Sequence, residues 1–106
     1  LFPKLVLNNI KKISLDLDFK ETITWSFFPF IAPYLNILKP KLNIFDAVDN
    51  WLNHSSYKKE KEKLKEAYNI IKKEADLIFV VSDNLFELFD NQDNVYWIPN
   101  GVDLKI

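Results

Sequence analysis

Tyr57–Ser82, YKKEKEKLKEAYNIIKKEADLIFVVS, is the stretch on which the fold turns. Its first part, Tyr57–Ala75, carries Leu64, Ala67, Tyr68, Ile71 and Ala75 at helical spacing, with Lys and Glu filling the remaining positions. Residues three and four apart share one face of an α-helix, so the apolar stripe faces a core and the charges face water. Ser55 or Ser56 can cap the start of this helix. The run Lys58–Lys63 reads as a solvated face, with Glu60–Lys63 and Glu62–Lys65 spaced to pair. The pattern then changes from helical period to a continuous apolar run, Leu77-Ile78-Phe79-Val80-Val81. A short run of aliphatic and aromatic residues bounded by polar ones reads as a buried strand, Asp76–Ser82. A helix leading directly into such a strand is part of the repeating unit of a parallel sheet.

The same alternation extends in both directions. Thr22–Phe28 (TITWSFF), Leu42–Val48 (LNIFDAV) and Asn94–Ile98 (NVYWI) read as three further strands. Ile31–Leu38 reads as a short helix with Pro33 near its start, where proline is tolerated, and Pro40 stops it. Asp83–Asp90 reads as a short helix with Leu85, Phe86, Leu88 and Phe89 on its apolar side and Ser82 or Asp83 at its N-cap. Residues 3–15 read as a helix with Leu7, Ile10 and Ile13 in its stripe. The expected fold is therefore α/β, a Rossmann-like parallel sheet of about four strands with flanking helices. It spans residues 1–106 as a single partial doubly wound domain, with Val102–Ile106 as a tail. Right-handed crossovers would set the strands side by side in chain order. Thr22–Phe28 is then an edge strand. An exposed apolar edge pairs with other chains, which predicts a homodimer or domain-swapped form through that edge or through uncovered sheet surface.

Composition narrows the function classes. At 106 residues the chain is one domain, and 48% hydrophobic content excludes disorder. Fourteen Lys, no Arg and fifteen acidic residues leave a net charge of −1, which argues against a nucleic-acid partner. Zero Cys and one His exclude a disulfide framework and disfavour a metal site. A single Gly excludes the glycine-rich phosphate loops. The Lys-only basic set with abundant Asn and Ile matches an AT-rich genome. The chain begins Leu1-Phe2-Pro3 and contains no Met, which fits N-terminal processing or a segment of a longer protein.

In a parallel sheet the strand carboxyl ends meet at one rim, where ligands bind. The residues there are Phe28-Pro29-Phe30, Asp49-Asn50-Trp51, Ser82-Asp83-Asn84 and Pro99-Asn100-Gly101. Carboxylates, amides, a hydroxyl and aromatic faces form a composition suited to polyols, although loop ends are polar in any α/β protein. Asp49 can accept from a substrate hydroxyl or act as a general base, and a loop cap is the competing role. His54 is the one side chain of the type that serves as a general acid or base, but its polar loop favours a solvated histidine over a catalytic one. Asp46 lies inside a strand, paired at the sheet face or near a helix end. Ser82 suits an anion or hydroxyl at a helix start, with N-capping the favoured role. Among the three Trp residues, Trp51 stands out by its place at the rim.

Three of these segments together resemble the second half of the N-terminal domain of GT-B fold glycosyltransferases, especially family 4-like enzymes. Phe45-Asp46-Ala47-Val48-Asp49-Asn50-Trp51 looks like the family's D-x-x-D-[DN]-W segment. Ala75–Ser82 is similar to its A-D-x-[IV]-x-x-x-S strand. Ile98-Pro99-Asn100-Gly101-Val102-Asp103 is similar to its [IV]-P-N-G-V-D segment. The resemblance runs from Ile23 to Asp103. It implies an enzyme of two Rossmann-like domains that transfers a sugar from a nucleotide-sugar donor to a hydroxyl of a sugar or lipid-linked acceptor. The matching positions of the acceptor-side rim are Asp49, a catalytic candidate, and Asn50, Trp51, Ser82, Asn100 and Gly101, substrate-binding candidates. No position matches the family's catalytic His, and His54 is a second catalytic candidate only by lying near that region. No metal and no cofactor held by this chain itself are implied, and the setting is cytoplasmic or peripheral at the inner face of the membrane. Gly101 fits close backbone approach and positive φ. The family's first strands, glycine-rich loop and C-terminal donor domain lie outside the resemblance, so the chain alone is not expected to catalyse transfer. A stand-alone flavodoxin-like binding module or a protein-interaction domain are the rival readings.

Overall fold

The structure is a computed structural model that describes residues 3–101. Four strands, β1 (Ile23–Ser26), β2 (Leu42–Ala47), β3 (Leu77–Val80) and β4 (Val95–Trp97), form one sheet in the order β1-β2-β3-β4. All three pairings are parallel. The protein is therefore an α/β protein with a Rossmann-like parallel sheet and flanking helices, and β1 is an edge strand. Val102–Ile106, including the last two residues of the Ile98–Asp103 segment, lies outside the described residues.

Helix α1 (Pro3–Asp16) and helix α2 (Lys61–Glu74) are the two α-helices. The helix expected over Tyr57–Ala75 is divided. Ser55–Glu60 is a 3-10 segment with a non-helical residue at Tyr57, and α2 begins at Lys61. Neither Ser55 nor Ser56 caps it. Glu60 occupies the N-cap position and makes no side-chain cap bond. Lys58, Lys59 and Glu60 are exposed, and the α-helix winds from Lys61, just ahead of the apolar stripe that begins at Leu64. Of the two spaced pairs, Glu62–Lys65 meets at 3.7 Å, and Glu60–Lys63 makes no ion pair among the described residues.

The other two connections are 3-10 rather than α. Pro29–Leu38 holds Pro29 at its start and Pro33 inside it. Pro33 has no N–H to give and its ring crowds the preceding turn, which disfavours the α form. Lys39 ends the segment in the left-handed region at φ 46°, its N–H donating to the Asn36 carbonyl. Asp83–Phe89 ends similarly at Asp90, φ 55°.

The core lies between the sheet and these connections. Phe45 and Ala47 of β2, Ile78 and Val80 of β3 and Val95 of β4 are buried against Ala32, against Leu64, Tyr68 and Ile71 of α2, and against Leu85 and Phe89. All three connections thus pack on one face, as chain-order strands joined by crossovers of one hand require. Helix α1 packs on Pro29–Leu38 and buries only Leu7. Polar ties hold the opposite, amino-terminal rim. The Asp76 carboxylate accepts from Asn43 N–H at 2.8 Å, and the Asn94 amide donates to the Ala75 carbonyl at 3.0 Å.

The expectation that the strands are buried on both faces is corrected. Alternation places Ile23, Trp25, Leu42, Ile44, Asp46, Leu77, Phe79 and Tyr96 on the side without helices. Ile23, Trp25 and Tyr96 are exposed there. A run of consecutive apolar residues reports that both sides of a strand are apolar, not that both are covered. No helix among the described residues is long and apolar enough to cross a membrane.

Candidate functional site

β2 ends at Ala47, and the chain then turns sharply. Val48 N–H donates back to the Asp46 carbonyl at 3.0 Å. The Asn50 side chain accepts from Leu52 N–H and starts a short 3-10 turn, Trp51–Asn53. Asn53 and His54 N–H close that turn onto the Asn50 and Trp51 carbonyls. This one turn brings the residue before it and the residue after it together. The Asp49 carboxylate meets His54 Nε2 at 2.6 Å, and the His54 ring stacks on Trp51 at 5.3 Å with 21° between planes.

The electrostatics follow from that contact. The His54 hydrogen bond holds the Asp49 carboxyl below its usual range, aided by Asn50 N–H and opposed by partial desolvation. A carboxylate has no proton to give, so the bond assigns the imidazole tautomer. In the neutral ring the bonding proton sits on Nε2, which leaves the lone pair on Nδ1. Both side chains stay open to solvent. Among the described residues no three His, Asp or Glu side chains converge, and Asp49 and His54 are the ionisable pair that meets at this rim.

Aromatic rings surround the pair. Trp51 packs on Phe28 at 5.4 Å and on Tyr57 at 5.2 Å, and Phe30 packs on Phe28 and Tyr57. Phe28 and Tyr57 also line a cleft of about 380 Å³ with Pro3, Phe30, Tyr34, Glu60 and Lys63. The Trp51 Nε1–H is buried with no acceptor among the described residues. Such a donor costs about 1–3 kcal/mol, which is recovered when a water or ligand oxygen reaches it.

Tyr68 ties this rim to the core. It projects from α2, packs on Phe45 and Phe89, and its hydroxyl accepts from Trp51 N–H at 3.1 Å. Burial pushes its phenol pKa up to about 12, with the Asp49 charge adding to the rise and Trp51 N–H opposing it. The helical stripe marks Tyr68 only as core. The available signal was chemical, since a buried tyrosine hydroxyl needs a partner. Tyr68→Phe keeps the ring and removes the tether. It is expected to cost about 0.5–1.5 kcal/mol and to speed amide exchange at Trp51 far more than at Leu64, measured by NMR.

The remaining candidates stand apart. Ser82 sits at the N-cap position of Asp83–Phe89 without capping it, and its hydroxyl donates to the Asn84 side chain instead. Asn100 and Gly101 are exposed. The reasoning for Gly101 is corrected. It is not at positive φ, and a Cβ added there would meet nothing within 4 Å. Asp18, Lys39, Asp90 and Asn91 take the left-handed positions instead. Asp46 lies on the bare sheet face and accepts from Trp25 Nε1–H at 3.2 Å. Asp49, Asn50, Trp51 and His54 are thus brought together, and none of them shares a hydrogen bond with Ser82, Asn100 or Gly101 among the described residues.

Fold and rim together define a Rossmann-like α/β protein with a carboxylate–imidazole pair set among aromatic rings at its strand carboxyl ends. No protein-family model, no curated protein and no solved structure matches the chain.

Proposed function

We propose that this chain forms the acceptor-side rim of a nucleotide-sugar-dependent glycosyltransferase. The observation that carries the reading is the Asp49–His54 pair stacked on Trp51. Glycosyl transfer needs an acceptor hydroxyl to lose its proton while its oxygen bonds to the anomeric carbon. The bond from that carbon to the donor phosphate oxygen breaks, and its electron pair leaves with the nucleoside diphosphate. His54 Nδ1 takes the hydroxyl proton, and Asp49 stabilises the imidazolium that results. The ring faces of Phe28, Trp51 and Tyr57 suit the apolar side of a sugar, and the Asn50 side chain suits its hydroxyls. The resemblance of the Asp46–Trp51, Ala75–Ser82 and Ile98–Asp103 segments supports the same class. The donor is held by a second domain in this reading, so the isolated chain binds acceptor without turning it over.

Saccharide binding tests this with an internal control. In ¹H–¹⁵N spectra of the isolated chain, millimolar mono- and disaccharides are expected to shift Trp51 and His54 and to leave Trp25 and Trp97 in place. Shifts at none of these residues, or equal shifts at all three tryptophans, would sink the proposal.

A further inference from the structure

We infer that two copies of this chain associate through the uncovered face of the sheet, stacking sheet on sheet. The face is broad, apolar and regular. Ile23 is 65% exposed, Trp25 59%, Phe27 58%, Tyr96 51% and Ile98 50%. Strand alternation puts Ile23, Trp25 and Tyr96 on one surface, around Leu42, Ile44, Leu77 and Phe79, and Phe27 and Ile98 follow β1 and β4 directly in the chain. Trp25 packs on Phe79 at 5.3 Å, so the centre of the face is already ordered. Parallel sheets occur almost only with both faces covered, and exposed apolar patches of several hundred Å² mark interaction surfaces.

A second copy is the occupant for three reasons. First, at roughly 150–250 Å² for a large side chain, the exposed fractions give on the order of 400–700 Å² per copy, approaching the ~800 Å² of a standard interface. Second, among the described strand residues the one carboxylate on this face is Asp46, and it takes its hydrogen bond from Trp25 of its own chain. It does not call for a cationic partner. Third, the surface is alike on each copy, so a two-fold axis can pair it with itself. Stacked sheets lie about 10 Å apart, which interdigitated aromatic and aliphatic side chains fill. The sheet edges are weaker candidates. β1 has four residues and β4 three, and short edge strands offer few unpaired backbone groups.

Sedimentation of the chain at about 100 µM, where micromolar association is nearly complete, is expected to give twice the chain mass. Ile23→Lys with Tyr96→Lys places charges on two positions already exposed in the monomer, and the double variant is expected to sediment as a monomer with an unchanged circular dichroism spectrum. As a second measurement on the unaltered chain, dilution is expected to shift the Trp25, Phe79 and Tyr96 resonances and to leave Leu64 and Ile71 in place. Asp46→Asn keeps an acceptor for the Trp25 indole while removing the paired like charges, so it is expected to tighten the dimer. A monomer at high concentration overturns the inference. So does a dimer that survives the lysine pair, dilution shifts confined to another surface, or a dimer weakened by Asp46→Asn, which would point to a basic partner.

Discussion

Phe89→Ala is expected to remove about 3–5 kcal/mol, a large share of the ~5–15 kcal/mol that holds a domain of this size together. Phe89 is among the largest fully buried side chains. Its ring lies 6.2 Å from Phe45 and 5.8 Å from Tyr68, so it joins β2, α2 and the Asp83–Phe89 segment at one point. Alanine loses the transfer free energy of the ring and leaves a cavity that neighbours on three elements cannot all close. The loss also frees the Tyr68 ring, whose hydroxyl holds Trp51 N–H. Phe89→Leu keeps most of the volume and is expected to cost under about 1.5 kcal/mol. Urea unfolding followed by circular dichroism measures both. Equal midpoints for the alanine variant and the unaltered chain would show that this junction is not what holds the layers together.

The second large effect is chemical. On the proposed acceptor-side reading, Asp49→Asn is expected to lower glycosyl transfer by about 10²–10⁴-fold when the rim works with a donor-holding domain, with the acceptor KM little changed. The amide can still meet His54 Nε2, but without a charge to stabilise an imidazolium. If its NH₂ group donates to Nε2, the proton moves to Nδ1 and the base is lost. Trp51 and its ring neighbours are untouched, which is why binding should persist. The pH dependence has a definite sign. Asp49 has its folded-state pKa depressed below the ordinary 3.8, first by the His54 hydrogen bond. The stability this bond adds is fully present above the unfolded value and disappears as pH falls through the lower, folded one. Carboxyl titration of Asp49 by NMR, with and without His54→Ala, reads this directly: the substitution should bring the midpoint back up. An unmoved midpoint, or undiminished turnover in Asp49→Asn, would take the pair out of the chemistry.

Much of the architecture was legible before any coordinate. The four strands, their parallel order and α2 follow from two periodicities that local sequence displays openly. The connections were harder. Ile31–Leu38 reads as a short helix with Pro33 tolerated near its start, whereas Pro33 lies inside the 3-10 segment Pro29–Leu38, where its missing N–H disfavours the α form. The expected helix start at Tyr57 failed because Tyr57 packs on Phe30 and Trp51 with a non-helical backbone, φ −110° and ψ 16°, and the α-helix begins only at Lys61. At the rim, Asp49 and His54 were both visible as candidates, but with opposite weights. His54 looked solvated because its neighbours are polar. Its true partners are five and three residues back, brought to it by the Trp51–Asn53 turn.

By itself, then, the sequence determined the α/β class, the strand order and which residues arrive at the carboxyl rim. Each depends on local spacing, right-handed connections and the geometry of a parallel sheet. Tertiary structure alone decided three things. It turned Tyr68 from a core residue into the anchor of Trp51, because one hydroxyl from the middle of α2's stripe reaches a backbone N–H of the rim. It paired Asp49 with His54 over a single turn. It also left one side of the sheet bare, because crossovers of one hand, taken in chain order, put every connection on the same face, and hydrophobicity along a strand does not say which of its two sides is covered.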